Sequence, residues 1–310
     1  MKKKFIITID TEEDNQWDLQ ISNLTENARY LERFQRLCNK YKFKPVYLTT
    51  YNMAKDPFFI KFAKEQLKAG NCEIGMHLHA WCSPPEFKLE NKKNNNREYL
   101  IEYPIEVMEE KIKVLDKLLE DTFEKKIVSH RSGRWAINEE YISLLAKYGY
   151  KCDCSVTPGV NWSNCLGGTG IGGSDFSSYP VNPYYTNGIL EVPVSIRNIR
   201  YFNLNAIYSF KDVLREAHHL SIGKQTWLRP SNNSLYQMKK LVDIINNEST
   251  DYIMFMIHSS EFMPGGSPYY KNNEDIDALF KILDELFLYI SNFYEGSTLE
   301  EYYSYYLINK

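Results

Sequence analysis

The chain has no surplus of either charge. Its 37 Lys and Arg nearly balance 40 Asp and Glu, leaving a net charge of -3. It therefore lacks the electrostatic footprint of a protein that binds nucleic acid or an anionic lipid surface. It also lacks an apolar run long enough to span a membrane. Lys2-Lys3-Lys4 could open a secretory leader, but the apolar stretch behind it, Phe5 to Ile9, ends at Asp10 and is too short. The expectation is a cytoplasmic protein with no membrane span. Its cysteines (Cys38, Cys72, Cys82, Cys152, Cys154 and Cys165) include no C-x-x-C pair. A chain of 310 residues that is 43% hydrophobic can bury a large core without disulfides, so these read as free thiols of a reducing compartment. Internal repeats and linker-like segments are absent too, and one domain over residues 1–310 is expected. The sequence leaves the oligomeric state open.

What is present is an alternation of short apolar runs with helical patterns. Strands are expected at Phe5–Asp10, Pro45–Thr49, Cys72–His77, Lys126–Ser129, Cys152–Val156, Leu190–Ser195, Thr226–Leu228 and Ile253–His258. Helices are expected at Glu26–Tyr41, Pro57–Lys68, Ile105–Asp121, Asn138–Lys147, Lys211–Leu220, Leu235–Asn246 and Asn273–Phe293. Leu31, Phe34, Leu37 and Cys38 have the three-and-four spacing of a buried stripe, and Asn138 suits a helix N-cap. Repeated βα units imply an α/β fold with a parallel sheet, and seven or eight strands favour a distorted (β/α) barrel. Two polar stretches, Cys82–Tyr103 and Thr157–Gly188, interrupt the rhythm. Each follows a strand, where functional loops of such a barrel lie.

Four strand ends carry reactive side chains: Asp10-Thr11-Glu12-Glu13-Asp14, His77-Leu78-His79, Ser129-His130-Arg131-Ser132-Gly133-Arg134-Trp135 and His258-Ser259-Ser260-Glu261. Alternation points His77 and His79 to one side if the strand continues through both. If it turns at Leu78, His130 is the alternative partner. Imidazoles and carboxylates on neighbouring strand ends make a plausible site for a divalent metal and a water.

In these motifs the chain resembles the polysaccharide deacetylases of the NodB-homology type, carbohydrate esterase family 4. The resemblance covers Phe5 to about Glu261. It rests on Asp10, on Ala69-Gly70-Asn71-Cys72-Glu73-Ile74-Gly75-Met76-His77, on Arg131-Ser132-Gly133-Arg134-Trp135 and on His258. The Asp10-Thr11-Glu12, His77-Leu78-His79 and His258-Ser259-Ser260-Glu261 forms are more similar to a group linked to bacterial lipopolysaccharide O-antigen or capsule biosynthesis. The chain departs from the family pattern twice. Thr11 stands where a second aspartate is usual, and Trp81 stands where a second histidine is usual.

The resemblance implies a NodB-like barrel and a metal-dependent N-deacetylase that frees acetate from an acetamido sugar or glycan. The metal would be zinc, with cobalt, nickel or ferrous iron as the other divalent ions; in this chain Glu12, the nearest carboxylate, and His79, the available substitute for the missing histidine, would join His77 in holding it. Asp10 would be the base, Arg131 its partner and His258 the acid. Trp81, Trp135, Trp162 and Arg229 are candidate substrate contacts, with Tyr269 a further aromatic candidate. The altered histidine spacing keeps open a carbohydrate-binding relative without activity. A metal-dependent amidase acting on a non-sugar amide is the other alternative.

Overall fold

The apolar rhythm becomes a curled sheet with helices outside it. The computed structural model describes residues 2–17, 22–202 and 209–309. Its strands are β1 (Lys3–Thr11), β2 (Pro45–Thr49), β3 (Glu73–Leu78), β4 (Ser129–Ser132), β5 (Cys152–Asp153), β6 (Tyr184–Thr186), β7 (Ile189–Glu191), β8 (Ile196–Ile199), β9 (Lys224–Trp227), β10 (Tyr252–His258) and β11 (Tyr294–Gly296). Its helices are α1 (Leu31–Lys40), α2 (Pro57–Lys68), α3 (Ile105–Phe123), α4 (Glu139–Lys147), α5 (Phe210–Ser221), α6 (Leu235–Asn246), α7 (Asn273–Ser291) and α8 (Leu299–Asn309). The main sheet runs β10-β1-β2-β3-β4-β5-β7-β6, with β11 also paired to β1. All pairs are parallel except β6 with β7. This is the distorted, NodB-like barrel that the sequence led us to expect.

Between β5 and β10 the wall is carried by irregular backbone. The Val194 amide donates to the Val156 carbonyl (3.0 Å), Leu228 to Ser195 (3.2 Å) and Met256 to Leu228 (3.3 Å).

Strand alternation sorts the side chains into two cores. Ile6, Val46, Leu48, Met254 and Met256 fill the barrel interior with Cys152, Cys154, Leu190 and Val192. Phe5, Ile7, Ile9, Tyr47, Ile74, Met76, Phe255 and Ile257 pack outward against the helices. In that parity Asp10 continues the inward series Ile6-Thr8, and His258 continues Tyr252-Met254-Met256. Both cap the barrel at its carboxyl end, and they are register partners. His77 and Arg131 are likewise partners on β3 and β4.

Local chemistry agrees with the elements. Asp56 caps α2 by accepting from the Phe59 amide at 2.8 Å, with Pro57 at the first turn. Asn138 caps α4 through the Tyr141 amide at 2.9 Å.

Three expectations need correction. The strand expected at Lys126–Ser129 lies three residues later, because its buried residues are the polar Ser129, His130, Arg131 and Ser132. The strand expected at Thr226–Leu228 is not in the barrel sheet: β9 pairs antiparallel with β8 in a separate two-stranded sheet. The run Leu190–Ser195 is broken, since the chain leaves the sheet after Glu191. Helix α8 and strands β6, β8 and β11 were not foreseen. Leu299 and Tyr302 of α8 join the interior core.

Candidate metal centre

The chain leaves β1 at Thr11 and drops Glu12 beside the end of β3. Glu12, His77 and His79 are each buried and bring three donor atoms together. Glu12 Oε2 stands 3.4 Å from His77 Nε2 and 3.1 Å from His79 Nε2, and the two Nε2 atoms are 3.0 Å apart. The His77 Nδ1–H donates to the Arg131 carbonyl at 2.9 Å, which leaves the Nε2 lone pair of the neutral ring aimed at the centre. Behind the other ring, His79 Nδ1 faces Glu13 Oε2 at 3.4 Å. Glu13 is itself held by the Thr50 hydroxyl at 3.0 Å and the Cys82 thiol at 3.4 Å.

His79 converges with His77 although β3 ends at Leu78. The close approach of β4 explains how. A Cβ on Gly133 would lie 2.5 Å from the Leu78 carbonyl oxygen and 2.8 Å from His79 Cδ2, so only glycine lets the Arg131–Trp135 turn pack there. His130 is excluded from the centre. Its ring bonds Asp153 at 2.6 Å and the Tyr141 hydroxyl at 2.7 Å inside the fold.

Asp10 Oδ1 accepts from Arg131 Nη1 at 2.5 Å, and Arg131 is fixed by Thr8 (2.8 Å) and the Cys154 carbonyl (3.1 Å). Burial works against an ionised Asp10, but Arg131, with His77 and His258, outweighs it and holds the carboxyl below its usual range. The second oxygen, Oδ2, faces His77 Nε2 at 4.0 Å and His258 Nε2 at 3.8 Å.

His258 Nδ1 pairs with Glu261 Oε1 at 2.9 Å. Burial lowers the His258 pKa, yet Glu12, Glu261 and Asp10 outweigh it and the net shift is upward. Arg229 does not line the cavity. Its Nη2 donates to Glu261 at 2.9 Å, behind His258, which corrects the expectation of a substrate contact.

The donor set fits a divalent cation. Glu12 Oε1 is buried without a hydrogen bond among the described residues. Burial disfavours charge on His79, but Cys82, Glu12 and Glu13 overcome it and raise its pKa well above the usual range. Carboxylates that pull a proton onto a buried imidazole are carboxylates that favour a cation at that place. One carboxylate and two imidazoles suit a catalytic zinc-type ion with an open position.

Above the centre lies a cavity of about 240 Å³. Trp81, Trp135 and Trp162 line it. Trp81 stacks on His79 with centroids 4.3 Å apart, and Trp135 lies under the Arg131 guanidinium at 4.8 Å. The two long loops build the rim together: the Lys93 amide donates to the Gly168 carbonyl at 2.9 Å, and Thr169 to Glu102 at 2.7 Å. Tyr269 reaches the site only through Trp17, at 6.0 Å between centroids. The sequence reasoning missed Gln16, Trp17, Arg97, Tyr99 and Cys165 on the wall. No periodicity marks such loop residues. Arg134, from the strand-end run Ser129–Trp135, also lines the cavity.

No family model matches the sequence, and no curated protein matches it. Solved structures do. A protein assigned as a polysaccharide deacetylase from Mycobacterium smegmatis aligns over 98% of this chain and 91% of its own, with 12% identity and a TM-score of 0.57. The 4-alpha-glucanotransferase of Thermococcus litoralis aligns over 98% of this chain but only 40% of its own, again at 12% identity, with a TM-score of 0.56. The likeness is one of fold. Among the described residues no helix is long and apolar enough to cross a membrane.

Proposed function

We propose that this protein is a metal-dependent N-deacetylase that releases acetate from an acetamido sugar. One observation carries the reading. An anionic Asp10 and a His258 imidazole face each other at 3.8 Å beside the Glu12–His77–His79 donor set, each fixed from behind by its own partner. A base and an acid flanking an electrophilic centre are what amide hydrolysis requires.

When held by Glu12, His77 and His79, a divalent ion supplies positive charge that polarises an amide carbonyl and acidifies a water. Asp10 spends one oxygen on Arg131 and keeps Oδ2 to accept the water proton. His258 gives the departing nitrogen a proton from Nε2, while Glu261 fixes its other ring nitrogen. Water adds to the acyl carbon, the C–N bond breaks, and acetate and a free amine leave. Trp81, Trp135 and Trp162 give the sugar apolar faces to stack on. Zinc is the ion we assign first. The resemblance of the acidic and histidine motifs to the O-antigen and capsule group supports a substrate from surface polysaccharide assembly.

A second reading has one observation in its favour: Trp81 occupies the position of the usual second histidine, as in a carbohydrate-binding relative without turnover. Incubation of the zinc-loaded protein with N-acetylated sugars, followed by enzymatic assay of acetate, separates the two. Acetate that disappears in Asp10→Asn supports the deacetylase. Sugar binding without acetate supports the alternative.

A further inference from the structure

Arg134 has no part in the reaction above, yet it lines the same cavity as His77, His79 and His258. Its guanidinium donates to the carbonyls of Arg97 and, at 3.2 Å, of Leu166, and it lies over the Tyr99 ring at 4.1 Å. These contacts fix the plane of the group and neutralise none of its charge. Among the described residues it pairs with no carboxylate, and two of its five N–H donors are used.

The backbone beneath it is held in a conformation L residues avoid. Arg134 has φ 54° and ψ 25°, and Trp135 follows with φ 64°. The same turn packs Gly133 against His79. The segment that positions the metal centre therefore also sets Arg134 and Trp135 on the cavity wall. Backbone strain of this kind gathers at ligand-binding sites.

The charges around the cavity point to the ligand. Asp10 is neutralised by Arg131, and Glu12 offsets only part of a divalent ion. Arg134 adds a further positive charge to a cavity that four indoles line.

Resting on the deacetylase reading, we propose that Arg134 determines specificity by binding an anionic group on the acetamido sugar. The partner chemistry is a carboxylate or a phosphate, each of which matches the planar donor fork of a guanidinium. A carboxylate would belong to an N-acetylated uronic acid. A phosphate would belong to a sugar 1-phosphate or its nucleotide-linked form.

Calorimetric titration of the zinc-loaded protein tests this with three ligands: N-acetylglucosamine, N-acetylglucosamine 1-phosphate and N-acetylglucosaminuronic acid. At least one anionic sugar should bind about tenfold tighter than the neutral one, or more. Which one does so distinguishes phosphate from carboxylate. The advantage should vanish in Arg134→Gln and survive in part in Arg134→Lys, with the zinc content of both variants unchanged. Equal affinity for neutral and anionic sugars, an anion preference that persists in Arg134→Gln, or no sugar binding at all would overturn the proposal. Acetate release, measured in parallel, judges the deacetylase reading separately: anion-selective binding without acetate defeats that reading and leaves Arg134 its role.

Discussion

Asp10 and His258 are register partners on the parallel strands β1 and β10, and their facing atoms, Oδ2 and Nε2, stand 3.8 Å apart. The sheet itself sets that relationship, because both residues end an inward-facing series. On the proposed reading it leaves His258 as the acid, outside the metal's donor set. Replacement of His258 by Gln should lower acetate release by about 10²–10⁴-fold. The metal content, measured on the same preparation, should stay at the wild-type value. Loss of metal in that variant would show instead that His258 belongs to the donor set.

On the proposed metal site, Glu13 stands behind His79 as a carboxylate behind a ligating imidazole. Such a partner fixes the tautomer and strengthens the ligand. Glu13→Gln should weaken zinc binding by about 10–100-fold in a chelator competition. Glu13→Met, which has no acceptor, should weaken it further. A wild-type dissociation constant in both variants would show that His79 needs no such support.

Arg131 is wholly buried and Asp10 nearly so. Removing one partner leaves the other charge without compensation. Arg131→Met should therefore cost about 3–5 kcal/mol of unfolding free energy in urea. Adding Asp10→Asn should return part of that loss, since the remaining carboxylate charge is then gone. Strict additivity of the two changes would contradict the coupling.

Glu191, which is not among the Glu12–His77–His79 donor set, provides a pH signature. Burial, then the neighbouring Asp153, raises its pKa well above the ordinary carboxylate range. Asp153, opposed by burial but favoured by His130, stays ionised at lower pH than usual. Glu191 thus keeps its proton in the folded state after the unfolded chain has released it, near pH 4.3 by the reference value. Where the folded state binds more protons, stability falls as pH rises. The unfolding free energy should decline from about pH 5 upward on this account. Glu191→Gln, already neutral, should show a shallower decline over the same range. An unchanged slope in the variant would assign the decline elsewhere.

How much of this was legible in the sequence follows from what alternation can report. Asp10 and His258 were legible as the ends of two apolar runs, which a parallel sheet brings to one face, and they are register partners there. The convergence of His77 with His79 was legible only as a condition, because it depends on a backbone path beyond Leu78 that Gly133 permits. Strand β4 was displaced because its interior is an ion pair and hydrogen bonds rather than apolar surface. The antiparallel pair of β8 and β9 has strand-like residues, and nothing in a period of two separates such a pair from a barrel strand. Arg97 and Tyr99 were beyond reach, and Glu13 and Arg134 stood in the reactive strand-end runs with no role assigned. Their roles come from tertiary approach between loops, which no local pattern encodes.

The central claim is the cation held by Glu12, His77 and His79. Elemental analysis of the protein, purified without metal-charged resin and reconstituted with zinc, tests it most directly when run beside His77→Ala. The account predicts one zinc per chain in the wild type and a large loss in the variant. A wild type that takes up no metal, or a variant that keeps its full complement, would contradict it.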